Sequence, residues 1–321
     1  MKKNIAIAAG GYTSEYGVSI KSAQGIHSFI DKTRYNVYIV EIRENSWQVL
    51  LDDNQRIDID KNDFSFLLNN EKVKFDFVYI TIHGTPGEDG LLQGYLEMIN
   101  IPYSCCGVLT SAITYNKYVC NNYLRGYGID VANSMLVRKG ETVSNKEVME
   151  RIGLPCFIKP SLGGSSFGVS KVTKEEDIQK AIDNAIKESD EVIIEAFMDG
   201  TEVTCGCYKT RSKSEVFPIT EVVTHNEFFD YDAKYNGQVD EITPARISDE
   251  LTKKIQDMTS RVYDILNCKG IIRIDYIIEK DKISLLEVNT TPGMTTTSFI
   301  PQQIRAAKLD ITEVMNDIIE Q

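Results

Sequence analysis

The stretch "IRIDYIIEKDKISLLEVNTTPG", residues 272–293, constrains the fold of this chain most tightly. Ile272, Ile274, Tyr276 and Ile278 alternate along one strand, and Leu286 and Val288 continue an apolar face on a second. Between them stand Arg273, Asp275, Glu287 and Asn289. A charge inside a sheet is costly unless it is paired or bound to a cation. Residues two apart share a face, so the turn decides whether the two polar pairs meet. A three-residue loop, Lys280–Asp281–Lys282, sets Asp275 opposite Glu287 and Arg273 opposite Asn289, with residue 279 opposite 283. A two-residue loop would send Asp275 and Glu287 to opposite faces. The three-residue loop is therefore expected. One face is then core, built from Ile272, Ile274, Tyr276, Ile278, Leu286 and Val288. The other gathers two carboxylates, an amide oxygen and a guanidinium. Such ligands suit magnesium, which one or two carboxylates usually hold together with substrate phosphates. The competing reading keeps these four residues as polar pairs on the rim of the sheet.

The chain of 321 residues is long enough for two or three domains. Its first hundred residues read strand, glycine loop, helix, and then again, which favours a parallel α/β sheet. "KNIAIAAGG" ends a strand near Ala9 and a helix starts near Val18; a later helix starts near Gly90. "WQVLL" and "RIDID" look like an added hairpin. After "YSCCG" the pattern changes to a helical stretch, "VLTSAITYNKYVCNNYLRGYGI", and then strand, glycine-rich loop, strand. Boundaries near 103 and 197 give three regions: 1–103, 104–196 and 197–321. The polar, aromatic stretch from Thr224 to Arg246 has no clean period, and a loop of that length is usually functional or disordered.

Charge and cysteine usage narrow the partners. A net charge of −12 without a basic run speaks against nucleic acid and anionic membranes. The apolar runs are too short to span a bilayer. No signal peptide is visible, and seven cysteines without framework spacing fit reduced thiols, so a cytoplasmic location is expected. Three histidines leave little for a zinc site, and Cys205 and Cys207 are expected to share one face of a strand.

"FIKPSLGGSSFGVS" places small residues where a backbone can approach a ligand closely. Successive N–H groups, with Ser165 and Ser166, could cradle phosphate oxygens. It is neither a P-loop nor part of the kinase motif set. A plain hairpin turn explains the glycines as well, although Lys159 just upstream favours phosphate.

Seven segments in order carry a resemblance over nearly the whole chain: "GGYTSEYGVS", "HGTPGEDG", "IKPSLGGSSFGVS", "EAFMDGTE", "FFDYDAKY", "RIDY" and "EVNTTPGMTTTS". Together they resemble the D-alanine–D-alanine ligases of the ATP-grasp superfamily. The resemblance implies a three-domain α/β fold with an N-terminal Rossmann-like parallel-sheet domain and ATP gripped between the second and third domains. It implies ATP, two D-alanine molecules and two magnesium ions (or manganese) as ligands, and a homodimer for peptidoglycan precursor synthesis. Glu15 would hold the first substrate's ammonium, linked through Ser165 to Tyr235, and His83 would face the same substrate. Lys117, Lys159, Ser166 and Lys234 would meet the ATP phosphates. Glu195, Phe197 and Glu202 would hold adenine and ribose. Arg273 and the Gly293 N–H would stabilise the tetrahedral oxyanion. Asp275, Glu287 and Asn289 would bind the metals, with Glu287 bridging. Ser298 and Phe299 would contact the second substrate. A tyrosine at 235 accompanies use of D-alanine rather than D-lactate as second substrate in the ligases it resembles. Another ATP-grasp ligase joining a different carboxylate to an amine or hydroxyl is the alternative. A nucleotide-binding module without turnover and a kinase stopping at the acylphosphate are further readings.

Overall fold

The computed structural model describes residues 2–51, 55–164, 167–224 and 239–321. Ser165, Ser166, Lys234 and Tyr235, four of the residues assigned roles above, lie outside the described residues.

The N-terminal region is a sheet of order β4-β3-β2-β1-β7. Its elements are β1 (Lys3–Gly10), α1 (Tyr16–Phe29), β2 (Tyr35–Ile42), β3 (Trp47–Leu50), β4 (Arg56–Asp58), β7 (Phe77–Ile80) and α2 (Leu91–Met98). Residues Ile5 to Ala9 of β1 have no exposed surface, as the interior strand of a sheet covered on both faces requires. It runs parallel to both β2 and β7. The loops leaving the carboxyl ends of β1 and β7 therefore emerge side by side, where open parallel sheets place ligands. β3 and β4 form the expected added hairpin on β2. The segment "LLNNEKVKF" is a second hairpin, β5 (Ser65–Leu68) with β6 (Glu71–Lys74). Asn69 and Asn70 turn it at φ of 51° and 65°, the double left-handed geometry of a tight hairpin that asparagine tolerates.

The expected helical stretch after Gly107 is two helices, α3 (Val108–Tyr115) and α4 (Lys117–Arg125). Asn116 between them is extended, and its side-chain oxygen caps α4 by accepting from the Val119 N–H at 3.1 Å. The break brings Lys117 to a helix start beside the glycine-rich loop. An antiparallel sheet of order β10-β9-β11-β8 follows. It is built from β8 (Ser134–Arg138), β9 (Cys156–Pro160), β10 (Ser170–Val172) and β11 (Glu191–Ala196), with α5 (Asn145–Arg151) and α6 (Ile178–Ile186). Ile178 and Ile182 of α6 are buried against it, on one helical face as their spacing predicts.

The third sheet runs β15-β14-β12-β16-β17, with β13 (Ser214–Val216) also paired to β12. Its strands are β12 (Thr201–Lys209), β14 (Thr220–Thr224), β15 (Val239–Ile242), β16 (Gly270–Glu279) and β17 (Lys282–Asn289). Three helices accompany it, α7 (Asp249–Ile265), α8 (Phe299–Ala306) and α9 (Ile311–Ile319). Cys205 and Cys207 share the core face of β12, and all seven cysteines are buried free thiols. Val314, Met315 and Ile318 of α9 pack with Ile5, Ile7 and Ile26, so one apolar core ties the C-terminal helices to the first sheet. Among the described residues, no helix is long and apolar enough to cross a membrane.

The turn between β16 and β17 departs from expectation. Glu279 pairs with Lys282, so the loop is Lys280–Asp281, two residues rather than three, with Lys280 at φ 59°. A bulge between Asp275 and Tyr276 restores the register: Tyr276 pairs with Leu285, while Asp275 pairs with Glu287. Leu286 is the extra residue. It leaves the core face and lines the cleft, while Leu285, with no exposed surface, takes its place in the core. The assignment of Leu286 to the core was wrong for this reason; the other five core residues stand as expected.

Candidate active site

The three sheets converge on a cleft of about 1370 Å³. Its floor is the β16–β17 hairpin. Arg273 pairs with Asn289 and Asp275 with Glu287, so all four polar side chains leave one face. Arg273 donates to both Asp275 oxygens, at 2.9 and 2.7 Å, and its Nη2 lies 3.9 Å from Glu287 Oε1. Asn289 Nδ2 lies 3.3 Å from Asp275 Oδ2 and 3.5 Å from Glu287 Oε1. Burial works to lower the Arg273 pKa, but the Asp275 carboxylate more than offsets it and keeps the guanidinium charged. Two carboxylates and an amide on one face of the cleft suit magnesium, which one or two carboxylates usually hold beside substrate phosphates. Among the described residues no group of three or more His, Cys, Asp or Glu could by itself enclose an ion. An open site of this kind leaves coordination positions for a nucleotide.

The wall from the central sheet carries the nucleotide candidates. Lys159 on β9 and Glu195 on β11 project from the same face and form an ion pair of 2.6 Å, nearly buried on both sides. Burial works to lower the Lys159 pKa, and Glu195 raises it past its ordinary value. Asn121 Nδ2 donates to the other Glu195 oxygen at 3.1 Å. Phe157 and Phe197 line the cleft here with their rings tilted at 49° and their centroids 5.9 Å apart, and Lys171 Nζ is 4.4 Å from the Phe197 centroid. Glu202 lines the cleft beside it. Lys117 donates to the Gly163 carbonyl, so it already reaches the glycine-rich loop.

The loops from β1 and β7 close the other side. Glu15 precedes α1, and its carboxylate lies against Gly164; a Cβ there would stand 2.8 Å from Oε2. The missing Cβ at Gly164 gives the carboxylate room to lie that close. His83 is 8% exposed, and its Nε2 finds no hydrogen-bond partner among the described residues. Burial lowers its pKa, so the imidazole is neutral and can accept or donate toward the cleft. At the far end, Ser298 precedes α8, with its hydroxyl 2.7 Å from Thr295 Oγ1 and near Gly293, where a Cβ would lie 3.0 Å from Ser298 Oγ. Phe299 lies beneath Arg273, with 5.3 Å from guanidinium carbon to ring centroid.

The cleft thus brings together every described candidate: Glu15, His83, Lys117, Lys159, Glu195, Phe197, Glu202, Arg273, Asp275, Glu287, Asn289, Gly293, Ser298 and Phe299. Sequence reasoning gave no role to Glu88, although it quoted the loop that holds it. Its carboxylate accepts from the Gly84 N–H at 2.8 Å and from the Thr291 hydroxyl at 2.9 Å, joining the His83 turn to the loop after β17. Burial, with Glu15 nearby, pushes its pKa up to about 7. Tyr115 was also passed over; it lines the cleft and hydrogen-bonds Thr85.

An antiparallel sheet with a glycine loop, facing a second sheet with a carboxylate hairpin across a nucleotide-sized cleft, is the architecture of the ATP-grasp enzymes. Two solved structures share it over nearly the full length. One is the VanG D-Ala:D-Ser ligase from Enterococcus faecalis, with TM-score 0.87 and 29% identity, covering 100% of this chain and 99% of that one. The other is D-alanyl-alanine synthetase A from Vibrio cholerae, with TM-score 0.88 and 27% identity, covering 99% and 98%. A Bacillus anthracis D-alanine–D-alanine ligase complexed with ATP aligns at TM-score 0.80 and 26% identity, covering 99% and 96%. The sequence matches the family described as D-ala D-ala ligase N-terminus over residues 4–106, and D-ala D-ala ligase C-terminus over 123–320. A D-alanine–D-alanine ligase from Bacteroides fragilis is 69% identical over 321 residues, covering 100% of this chain and 99% of its own. One from Porphyromonas gingivalis is 54% identical, covering 99% and 98%. The chain belongs to the D-alanine–D-alanine ligase family.

Proposed function

We propose that this enzyme joins two D-alanine molecules into D-alanyl-D-alanine, converting ATP to ADP and phosphate, for peptidoglycan precursor synthesis in the cytoplasm. The observation that carries the reading is the register of the hairpin, which sets Asp275 opposite Glu287 in a cleft whose other wall holds Glu15. The first D-alanine binds with its ammonium at Glu15 and beside His83. Its carboxylate oxygen attacks the γ-phosphate, giving D-alanyl phosphate and ADP. A carboxylate is a poor electrophile, and phosphorylation supplies the leaving group. The amine of the second D-alanine then attacks the acyl carbon, and phosphate departs through a tetrahedral intermediate. Arg273 and the Gly293 N–H stabilise its oxyanion, and Ser298 with Phe299 holds the second substrate. Lys117 and Lys159 meet the phosphates, and Glu195, Phe197 and Glu202 hold adenine and ribose. Asp275, Glu287 and Asn289 would hold two magnesium ions, or manganese, whose chemistry when bound is to neutralise the triphosphate charge. Ser165, Ser166, Lys234 and Tyr235 keep the roles the resemblance implies, the first with Tyr235 orienting Glu15 and the others reaching the phosphates. A lid over the cleft would keep water from the acylphosphate.

The division at 1–103, 104–196 and 197–321 is proposed with it. So is a homodimer, supported by the exposed apolar side chains of Leu91 and Met98 on α2 and Leu109 on α3. The test of the activity is ADP release with ATP, magnesium and D-alanine, against L-alanine, D-serine and D-lactate, with the product identified by mass. D-alanyl-D-alanine formed from D-alanine alone supports the reading. ADP without dipeptide, or preference for D-serine as in the function named for the Enterococcus structure, overturns it.

A further inference from the structure

No described residue of the β3–β4 hairpin lines the cleft, yet through Glu41 the hairpin is joined to the helix that begins beside Glu15. Arg56 of β4 donates to Glu41 of β2, as does Arg43, at 3.1 Å. Tyr16 donates its hydroxyl to the same Glu41 oxygen that Arg43 contacts. Arg43 also donates to the Tyr16 hydroxyl at 2.6 Å, and its guanidinium lies 4.5 Å from that ring's centroid. Glu41 is 1% exposed, so its charge must be met inside the protein. Burial pushes its pKa up, but Arg56, Tyr16 and Arg43 together bring it down to about 2. It is therefore a fixed anion at neutral pH, and a fixed acceptor for Tyr16.

Tyr16 is the first residue of α1 and the neighbour of Glu15. The Glu15 carbonyl accepts the N–H groups of Val18 and Ser19, both at 3.0 Å, so the first turn of the helix and Glu15 move as one body. The Tyr16 ring lies over Gly10, where a Cβ would come within 3.3 Å of it. The Glu15 carboxylate meanwhile stands against Gly164 with little space to spare. A shift at the Tyr16 hydroxyl would thus be felt at the Glu15 carboxylate.

We propose that the hairpin serves the first-substrate site: through Arg56 and Glu41 it holds Tyr16, and Tyr16 sets where Glu15 stands against the glycine-rich loop. The inference rests on the reading that Glu15 binds the first substrate's ammonium. Arg56, Glu41 and Tyr16 touch no substrate and act as positioning residues. Arg56 brings the hairpin into the network because Arg43 alone reaches only one Glu41 oxygen.

The test compares wild-type enzyme with Tyr16→Phe, Arg56→Ala and Arg56→Lys. Tyr16→Phe and Arg56→Ala are expected to raise KM for D-alanine at the first site by about tenfold, with KM for ATP moving by less than about twofold. Arg56→Lys should recover part of the loss. A lowered melting temperature with every KM unchanged, or all kinetic constants shifted alike, would make the hairpin a merely structural appendage and overturn the inference. A second readout needs no turnover: amide hydrogen exchange at Val18 and Ser19 in the ligand-free protein. Faster exchange in Arg56→Ala is expected, and unchanged exchange counts against the network. An inactive wild type would reject the proposed activity, while the exchange result would still decide whether the hairpin orders the start of α1.

Discussion

Asp275 and Glu287 stand directly opposite each other across β16 and β17, although the turn joining those strands holds only two residues. A regular hairpin with that turn would put them on opposite faces. The bulge at Leu286 removes the conflict by spending one residue outside the ladder. The apolar face loses Leu286 and gains Leu285, and the polar face is completed in the cleft. With Leu286 present, only its exclusion from the ladder keeps the four polar side chains on one face.

Changing the number of residues at the bulge therefore has opposite outcomes. Deletion of Leu286 leaves a regular two-residue hairpin in which Asp275 still pairs with Glu287 and is expected to keep ATP turnover, whereas insertion of an alanine after Leu286 lets Leu286 pair with Asp275, carries Glu287 opposite Arg273 and is expected to eliminate turnover. Equal phosphate release by the two variants, measured alongside their circular dichroism, would count against the role given to the bulge.

Glu88 makes stability depend on pH. Its pKa rises from 4.5 to about 7 on folding, so between those values the folded protein binds more protons than the unfolded chain. Its contribution to stability falls as pH rises through this window and is constant above it. Glu88→Gln should flatten the slope of melting temperature against pH there. A slope identical to wild type would show that the carboxylate is not what titrates.

The Lys159–Glu195 pair is nearly buried, so breaking one side leaves an uncompensated charge. Glu195→Ala is expected to lower unfolding free energy by about 3 kcal/mol. The double variant Lys159→Met with Glu195→Leu should recover most of that, while losing ATP affinity. Denaturant unfolding of both variants without nucleotide distinguishes this from a purely nucleotide-binding role.

The role proposed for Tyr235 concerns the choice of second substrate. In the proposed triad its hydroxyl bonds Ser165, which bonds Glu15, and a polar group lost from a closed site shifts selection. Tyr235→Phe should raise D-lactate use relative to D-alanine; an unchanged ratio of the two products would remove Tyr235 from the account of specificity.

Much of this was legible in the residues. Alternation in β16 and β17 identified the core face, and the opposition of Asp275 to Glu287 followed from wanting both charges on one side. The reason given for it failed, because a tight turn plus a bulge satisfies the same demand as a longer turn, and alternation over six residues does not distinguish them. The break at Asn116 was missed because apolar spacing continues through it, while the capping that makes it comes from a side chain whose helix-start geometry had no flanking Gly or Pro. Glu88 and the Glu41 network were illegible for another reason. Each depends on segments far apart in the chain, Glu88 with Thr291 and Tyr16 with Arg56, and no local pattern pairs them.

The most direct test of the central claim is phosphate release by Glu287→Ala at saturating ATP, magnesium and D-alanine, in protein whose circular dichroism matches wild type. If Glu287 completes the metal-holding face of the hairpin, the rate falls by about 100-fold or more. A rate equal to wild type would contradict the account.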